Sequence, residues 1–205
     1  MSIRHPAGQA VNVPDTTTEH EDEKYTFGFW VFLMSDAVLF AVLFATYAVA
    51  TRGIGHGPAP AEAIDLRYVF PETLLLLTST LTLGLATLAL RHDDRASLIG
   101  WLAATLVLGA AFIALEAAEF HDMATRGLTP QLSGFLSGFF TLVGTHGLHL
   151  LVGLLWGLVM LIQVVTRTFS GAVSLRLLRF SLYWHFLDLI WVGIFSVVYL
   201  KGVLG

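Results

Sequence analysis

The sequence predicts an all-α membrane protein, a bundle of five transmembrane helices. Three observations carry that prediction. Of 205 residues, 56% are hydrophobic and only 13% charged, against about 25% charged in soluble domains. The mean hydropathy is +0.74. The apolar stretches run unbroken for about 20 residues or more, enough to cross a hydrocarbon core of about 30 Å, whereas barrel strands alternate over about ten.

Residues 1–24 are polar and end in Glu19-His20-Glu21-Asp22-Glu23-Lys24. They lack the apolar core of a signal peptide and read as a solvated cytoplasmic tail, partly disordered. Residues 25–205 read as a single membrane domain. The first span, 25–50, opens with Tyr25, Phe27, Phe29 and Trp30, an aromatic belt. The glycine- and proline-containing stretch after it reads as an irregular loop. The second span, 68–90, carries Pro71 in its first turn, where a missing N–H is harmless. Its Thr73, Thr78, Ser79, Thr80, Thr82 and Thr87 can bond to their own backbone or across to a neighbour.

The charged turn Arg91-His92-Asp93-Asp94-Arg95 predicts that the second and third spans form an antiparallel hairpin. The third span, 97–123, ends among Glu116, Glu119, His121 and Asp122. The fourth, 133–166, is about 50 Å long at about 1.5 Å per residue and must tilt or project. Gly134/Gly138 and Gly153/Gly157 let neighbours approach its backbone closely. A link holding Arg167, Arg176 and Arg179 leads to the fifth span, 180–200, and those arginines suit an anionic inner leaflet. Arg4, Lys24, Arg91, Arg95, Arg167, Arg176 and Arg179 fall on one side, and Arg52, Arg67, Arg126 and Lys201 on the other. That imbalance predicts a cytoplasmic N-terminus and a periplasmic C-terminus. No internal repeat suggests the inverted halves of a transporter.

The absence of cysteine excludes disulfides, thiolate metal sites, iron–sulfur clusters and the usual covalent haem. The net charge of −4 comes largely from the tail, and no basic patch argues for nucleic acid.

Ionisable side chains inside the spans are the candidate functional residues. Helical rise places Asp36, His149, His185 and Asp188 in the inner half of the bilayer, with His146 one turn from His149. Glu72, Glu116, Glu119 and His121 fall near the outer surface. No Lys or Arg lies deep in a span to pair with the acids, so Asp36 and Asp188 are expected to face inward, neutral or bonded to His, Thr or Ser. Three histidines, His146, His149 and His185, could in principle meet one metal ion. Interhelical hydrogen bonding or lipid contact is the expectation preferred here. Glu116-Ala117-Ala118-Glu119-Phe120-His121 lacks the Glu-x-x-His spacing of a di-metal carboxylate site.

Several of these blocks occur together in one known family. Phe27-Gly28-Phe29-Trp30-Val31-Phe32-Leu33-Met34-Ser35-Asp36, Gly144-Thr145-His146-Gly147-Leu148-His149 and Tyr183-Trp184-His185-Phe186-Leu187-Asp188-Leu189-Ile190-Trp191 resemble the signature blocks of subunit III of haem–copper respiratory oxidases. Glu116-Ala117-Ala118-Glu119-Phe120 resembles a fourth. The chain is similar to the short form of that family, which lacks the first two helices of the seven-span form. With Met34-Ser35-Asp36 and Phe44-Ala45-Thr46-Tyr47 it is most similar to members from bo-type ubiquinol oxidases. Where many cytochrome c oxidase members carry Glu in the first block, this chain has Asp36.

The resemblance implies an accessory subunit of a proton-pumping quinol oxidase in a bacterial inner membrane, one without a catalytic centre. Haems and copper would reside in the catalytic subunit I, with subunit II and a small subunit IV as further partners. The family is linked to bound membrane lipids and to an oxygen route near the acid at Asp36. The alternatives are the same role in a cytochrome c oxidase, or an independent proton or metal-ion transporter using the inner polar layer.

Overall fold

The computed structural model describes residues 16–51, 66–166, 171–200 and 202. They form α1 (Thr16–Ala50), α2 (Leu66–Arg91), α3 (Arg95–Thr125), α4 (Gly134–Thr166) and α5 (Gly171–Ile194), which continues as a π-helical stretch, Phe195–Leu200. All five are long and apolar enough to cross a membrane. The chain runs up and down. The start of α3 meets the end of α4, the starts of α1 and α5 meet, and the ends of α3 and α5 meet. We call the end where α1 begins proximal and the other distal.

The hairpin expected of the second and third spans is the most extensively packed helix pair. Its turn follows from local chemistry. Asp93 adopts a positive φ of 55° just past α2, and Asp94 N–H bonds back to Ala89 O at 3.1 Å, the left-handed cap that stops a helix. Asp94 then caps α3 by accepting from Ser97 N–H at 3.2 Å. Gly127, with φ 75°, ends α3 in the same way, as Leu128 N–H reaches Met123 O at 2.9 Å.

The hydrogen bond from Ser97 holds the exposed Asp94 carboxyl below the usual carboxylate range. A depressed carboxylate contributes stability above its unfolded pKa and loses it as pH falls through the folded value. Acidification should therefore fray the start of α3, seen as faster amide exchange there, and Asp94→Ala should abolish that pH dependence.

Three boundaries differ from the sequence reading. α1 begins at Thr16, inside the stretch read as tail, because Glu and Lys favour a helix where hydropathy is silent. α2 begins at Leu66, so Pro71 sits inside it and forgoes the bond to the carbonyl one turn back. α5 begins at Gly171, so Arg176 and Arg179 are helical and not in a link. The polar residues 1–15, the loop 52–65 and Arg167 lie outside the described residues.

Arg95 ties α3 to α4. Its Nε donates to Val164 O at 3.0 Å and its Nη2 to Val165 O at 2.6 Å. A cation on the last carbonyls of a helix also suits its dipole. Arg95→Met should cost about 1 kcal/mol at this exposed position and speed amide exchange in the last turn of α4.

The core is aromatic where the helices spread and glycine where they close. Trp184, Trp191, Phe112, Phe135, Phe139 and Phe180 are wholly buried. A Cβ on Gly109 or Gly157 would come within 2.8 Å of the Trp184 or Phe180 ring, and one on Gly153 within 3.3 Å of Trp184. α1 is the least buried span. It offers the bundle mainly Leu33, Phe40 and Tyr47, one stripe at helical spacing.

Candidate functional site

The buried polar side chains fall into three groups along the bundle. One turn to the proximal side of His146, Asp36 of α1 faces His149 of α4, with Nε2 and Oδ2 at 3.8 Å. That is within ion-pair reach but too long for a hydrogen bond, and Asp36 Oδ2 has no hydrogen-bond partner among the described residues. His149 Nδ1 donates to Thr145 O at 2.7 Å, because a carbonyl can only accept. Nε2 therefore carries a proton toward Asp36 only in the imidazolium form. The Phe40 ring lies 5.1 Å from the His149 ring, and Tyr183 O–H donates to His149 O at 2.9 Å.

Asp188 of α5 makes a separate contact. Thr80 of α2 donates to its Oδ2 at 2.8 Å, and its Oδ1 has no partner among the described residues. His185, one turn earlier, is exposed and bonds back to Ser181 O at 2.7 Å. Thr80→Val should cost about 1–3 kcal/mol, because it strands the Asp188 carboxyl. Thr80→Val with Asp188→Leu should recover most of that loss, measured as detergent unfolding of the four-member mutant cycle.

In the middle, His146 is wholly buried. Its Nε2 lies 3.2 Å from Leu187 O on α5 and donates to it, while Nδ1 has no partner among the described residues. Phe40, Phe112 and Trp191 ring it, with centroids 6.5, 5.9 and 5.3 Å away. Beside this box runs a line of hydroxyls from α2. Ser79 accepts from Trp184 Nε1 at 3.0 Å, Thr73 from Trp191 Nε1 at 3.2 Å, and Thr82 pairs with Thr105 of α3 at 2.8 Å. Each turns an otherwise stranded polar group into an interhelical tie.

In the distal half, Glu72, Glu116 and Glu119 lie close enough to feel one another's charge. Tyr199, in the π-helical end of α5, donates to Glu119 Oε2 at 3.1 Å. Glu72 is fully buried with neither oxygen bonded to any described residue, and Glu116 rests against the bare backbone of Gly147.

The structure thus brings together Asp36 with His149, Asp188 with Thr80, and Glu116 and Glu119 with Glu72. It does not bring His185 to His146 and His149. Among the described residues, no group of three or more His, Cys, Asp or Glu could hold a metal ion. Tyr199 was not singled out in the sequence, since a tyrosine at a span end reads as an interface anchor. It is wholly buried within the π-helical stretch.

Residues 12–203 match the family described as cytochrome c oxidase subunit III. The chain is 47% identical over 203 residues to the cytochrome bo(3) ubiquinol oxidase subunit 3 of Pseudomonas putida, covering 98% of each chain. It is 49% identical over 178 residues to the protein of the same name from Pseudomonas aeruginosa, covering 87% of this chain and 85% of that one. It is also 41% identical over 192 residues to the cytochrome c oxidase subunit 3 of Bacillus sp. strain PS3, covering 94% and 93%. With five apolar helices and these relatives, it is a multi-pass membrane protein whose family works beside catalytic partner subunits. The chain belongs to the cytochrome c oxidase subunit III family, the third subunits of haem–copper respiratory oxidases.

Proposed function

We propose that this chain is the non-redox accessory subunit of a proton-pumping bo-type ubiquinol oxidase in a bacterial inner membrane. Its N-terminus faces the cytoplasm and its C-terminus the periplasm. Subunits I and II and a small subunit IV are its protein partners, and subunit I holds the haems and copper. The observation that carries this reading is the near full-length identity to ubiquinol oxidase third subunits. The polar side chains support it, because they tie helix to helix.

Orientation rests on the charges. Lys24, Arg91, Arg95, Arg176 and Arg179 stand at the proximal end, Arg67 and Arg126 at the distal. The proximal arginines then meet anionic lipid of the inner leaflet. Asp36–His149 and Thr80–Asp188 fix helix register, so the work of the chain is to hold subunit I folded through many turnovers.

The experiment is to purify the complex through a tag on this chain in mild detergent and to measure haem difference spectra and oxygen uptake. Haem with ubiquinol-driven uptake is expected. A colourless chain arriving alone overturns the reading. Uptake driven by reduced cytochrome c and not by ubiquinol favours the second reading, a cytochrome c oxidase, which the Bacillus relative supports.

A further inference from the structure

A groove of about 250 Å3 opens between α3 and α4 on the outside of the bundle. Its walls are apolar, from Ile113, Leu148 and Leu151, and its polar side chain is Glu116. The carboxyl of Glu116 lies in the space a Cβ on Gly147 would take. Glu116 is only 4% exposed, and its Oε2 has no hydrogen-bond partner among the described residues. A buried acceptor without a donor is a standing deficit that a ligand can fill. The terminal torsion of a glutamate is soft, so a small rotation presents that oxygen to the groove.

The two ends of the groove differ. Distally it is closed by Phe120, whose ring lies 3.6 Å from where a Cβ of Gly144 would be. Phe120 is itself braced by Phe139 and Phe140, at 6.2 and 4.9 Å between centroids. Proximally it runs on past Ile113 and Leu151, one turn deeper on each helix, toward the middle of the membrane. The occupant therefore enters from the hydrocarbon and not from the headgroups.

Depth narrows its chemistry. Glu116 lies about 13 Å below the end of α3, and Gly147 about 20 Å below the start of α4. Both helices are about as long as the bilayer is thick, and the headgroup layer is about 5–8 Å on each side. The carboxyl is thus beneath the headgroups, out of reach of the ammonium of a diacyl lipid. A ring bearing hydroxyls on an isoprenoid tail occupies that depth freely. It offers the hydrogen-bond donor the groove lacks, an aromatic face for Phe120, and an apolar tail for the proximal end.

We propose that the α3–α4 groove is a quinol-holding site, in which a ring hydroxyl hydrogen-bonds the Glu116 carboxyl and the isoprenoid tail lies along Ile113, Leu148 and Leu151. The site rests on the quinol-oxidase reading above and adds to it a place where quinol is kept near the enzyme. Binding alone is proposed, with no electron transfer at Glu116.

The test uses the whole complex, equilibrated in the dark with an azido-ubiquinol, illuminated, digested and mapped, with ubiquinol oxidation measured on the same sample. Label is expected on peptides of α3 and α4 around Phe120 and Leu148. An excess of ubiquinol should lower it at least fivefold, and an excess of phosphatidylethanolamine should leave it unchanged. Leu148→Trp, which fills the groove mouth from a 60% exposed position, and Glu116→Leu should each lower it severalfold. Absence of label from these peptides in a complex that still oxidises ubiquinol overturns the site and leaves the oxidase reading standing, as when a partner helix covers the groove. Label displaced equally by phosphatidylethanolamine, or untouched by Leu148→Trp, also overturns it. A complex without ubiquinol oxidation fails the underlying reading instead.

Discussion

Trp184→Ala is expected to destabilise the isolated subunit by about 3 kcal/mol and to strip it from the complex during detergent purification. Trp184 is wholly buried where α2, α3, α4 and α5 converge. On one side its ring fills the hollow left by Gly109 of α3, and on the other it lies against Gly153 of α4. Its Nε1 donates to Ser79 of α2 at 3.0 Å. Removing the indole leaves a hole bounded by two glycine backbones, and neither glycine can extend a side chain into it. In lipid there is little solvophobic force between helices, so lost packing contacts make up most of the loss. That is why the estimate sits at the low end of the range for aromatic truncation.

The effect can be divided. Trp184→Phe keeps most of the packing and loses the N–H donor. It should cost about 1 kcal/mol, because Ser79 Oγ still donates to Leu76 O at 2.7 Å and is not left bare. Ser79→Ala instead strands the buried indole N–H and should cost about 1–3 kcal/mol. The expected order of midpoints in SDS unfolding followed by circular dichroism is wild type, Trp184→Phe, Ser79→Ala, Trp184→Ala. Equal losses for the phenylalanine and alanine variants would mean that the N–H bond, and not the packing of the ring, holds this junction together.

Length and hydropathy made the five spans legible, because an apolar run either crosses the core or does not. They were silent where helices leave the hydrocarbon, so the start of α5 at Gly171 and the extra turn before Pro71 were not read. Depth along each helix was counted from span ends set by hydropathy, and the earlier starts of α1 at Thr16 and α5 at Gly171 change those counts. Direction around the helix was not legible. His185 and Asp188 share one side of α5 by spacing, yet packing turns Asp188 to Thr80 and leaves His185 outside. The threonines and serine of α2 were readable as bond-formers, but their partners Trp184, Trp191 and Thr105 depend on tertiary register. The closeness of Glu116 to Gly147 belongs to the same class. Both residues stand in family blocks, and only coordinates show that a missing side chain on one makes room for the other.

Glycine offers the sharpest contrast within one residue type. Gly84 of α2 and Gly100 of α3 have nothing within 4 Å of a built Cβ, whereas Gly109 would place one 2.7 Å from Trp184 Cη2. Alanine is favoured over glycine in a helix by about 1 kcal/mol, so Gly84→Ala and Gly100→Ala should be neutral or slightly stabilising. At Gly109 the same gain is outweighed. The Trp184 ring cannot retreat, because Gly153 backs it and the bond to Ser79 pins its edge. Overpacking of that kind costs about 1–3 kcal/mol, so Gly109→Ala should lose about 1–2 kcal/mol net, and Gly109→Val more. The decisive comparison is rescue. Trp184→Leu shortens the ring side, so Gly109→Ala should do less harm in that background than alone, by at least about 1 kcal/mol of coupling. Additive losses would place the strain elsewhere on α3 and show that the α3–α4 approach is not set by this ring.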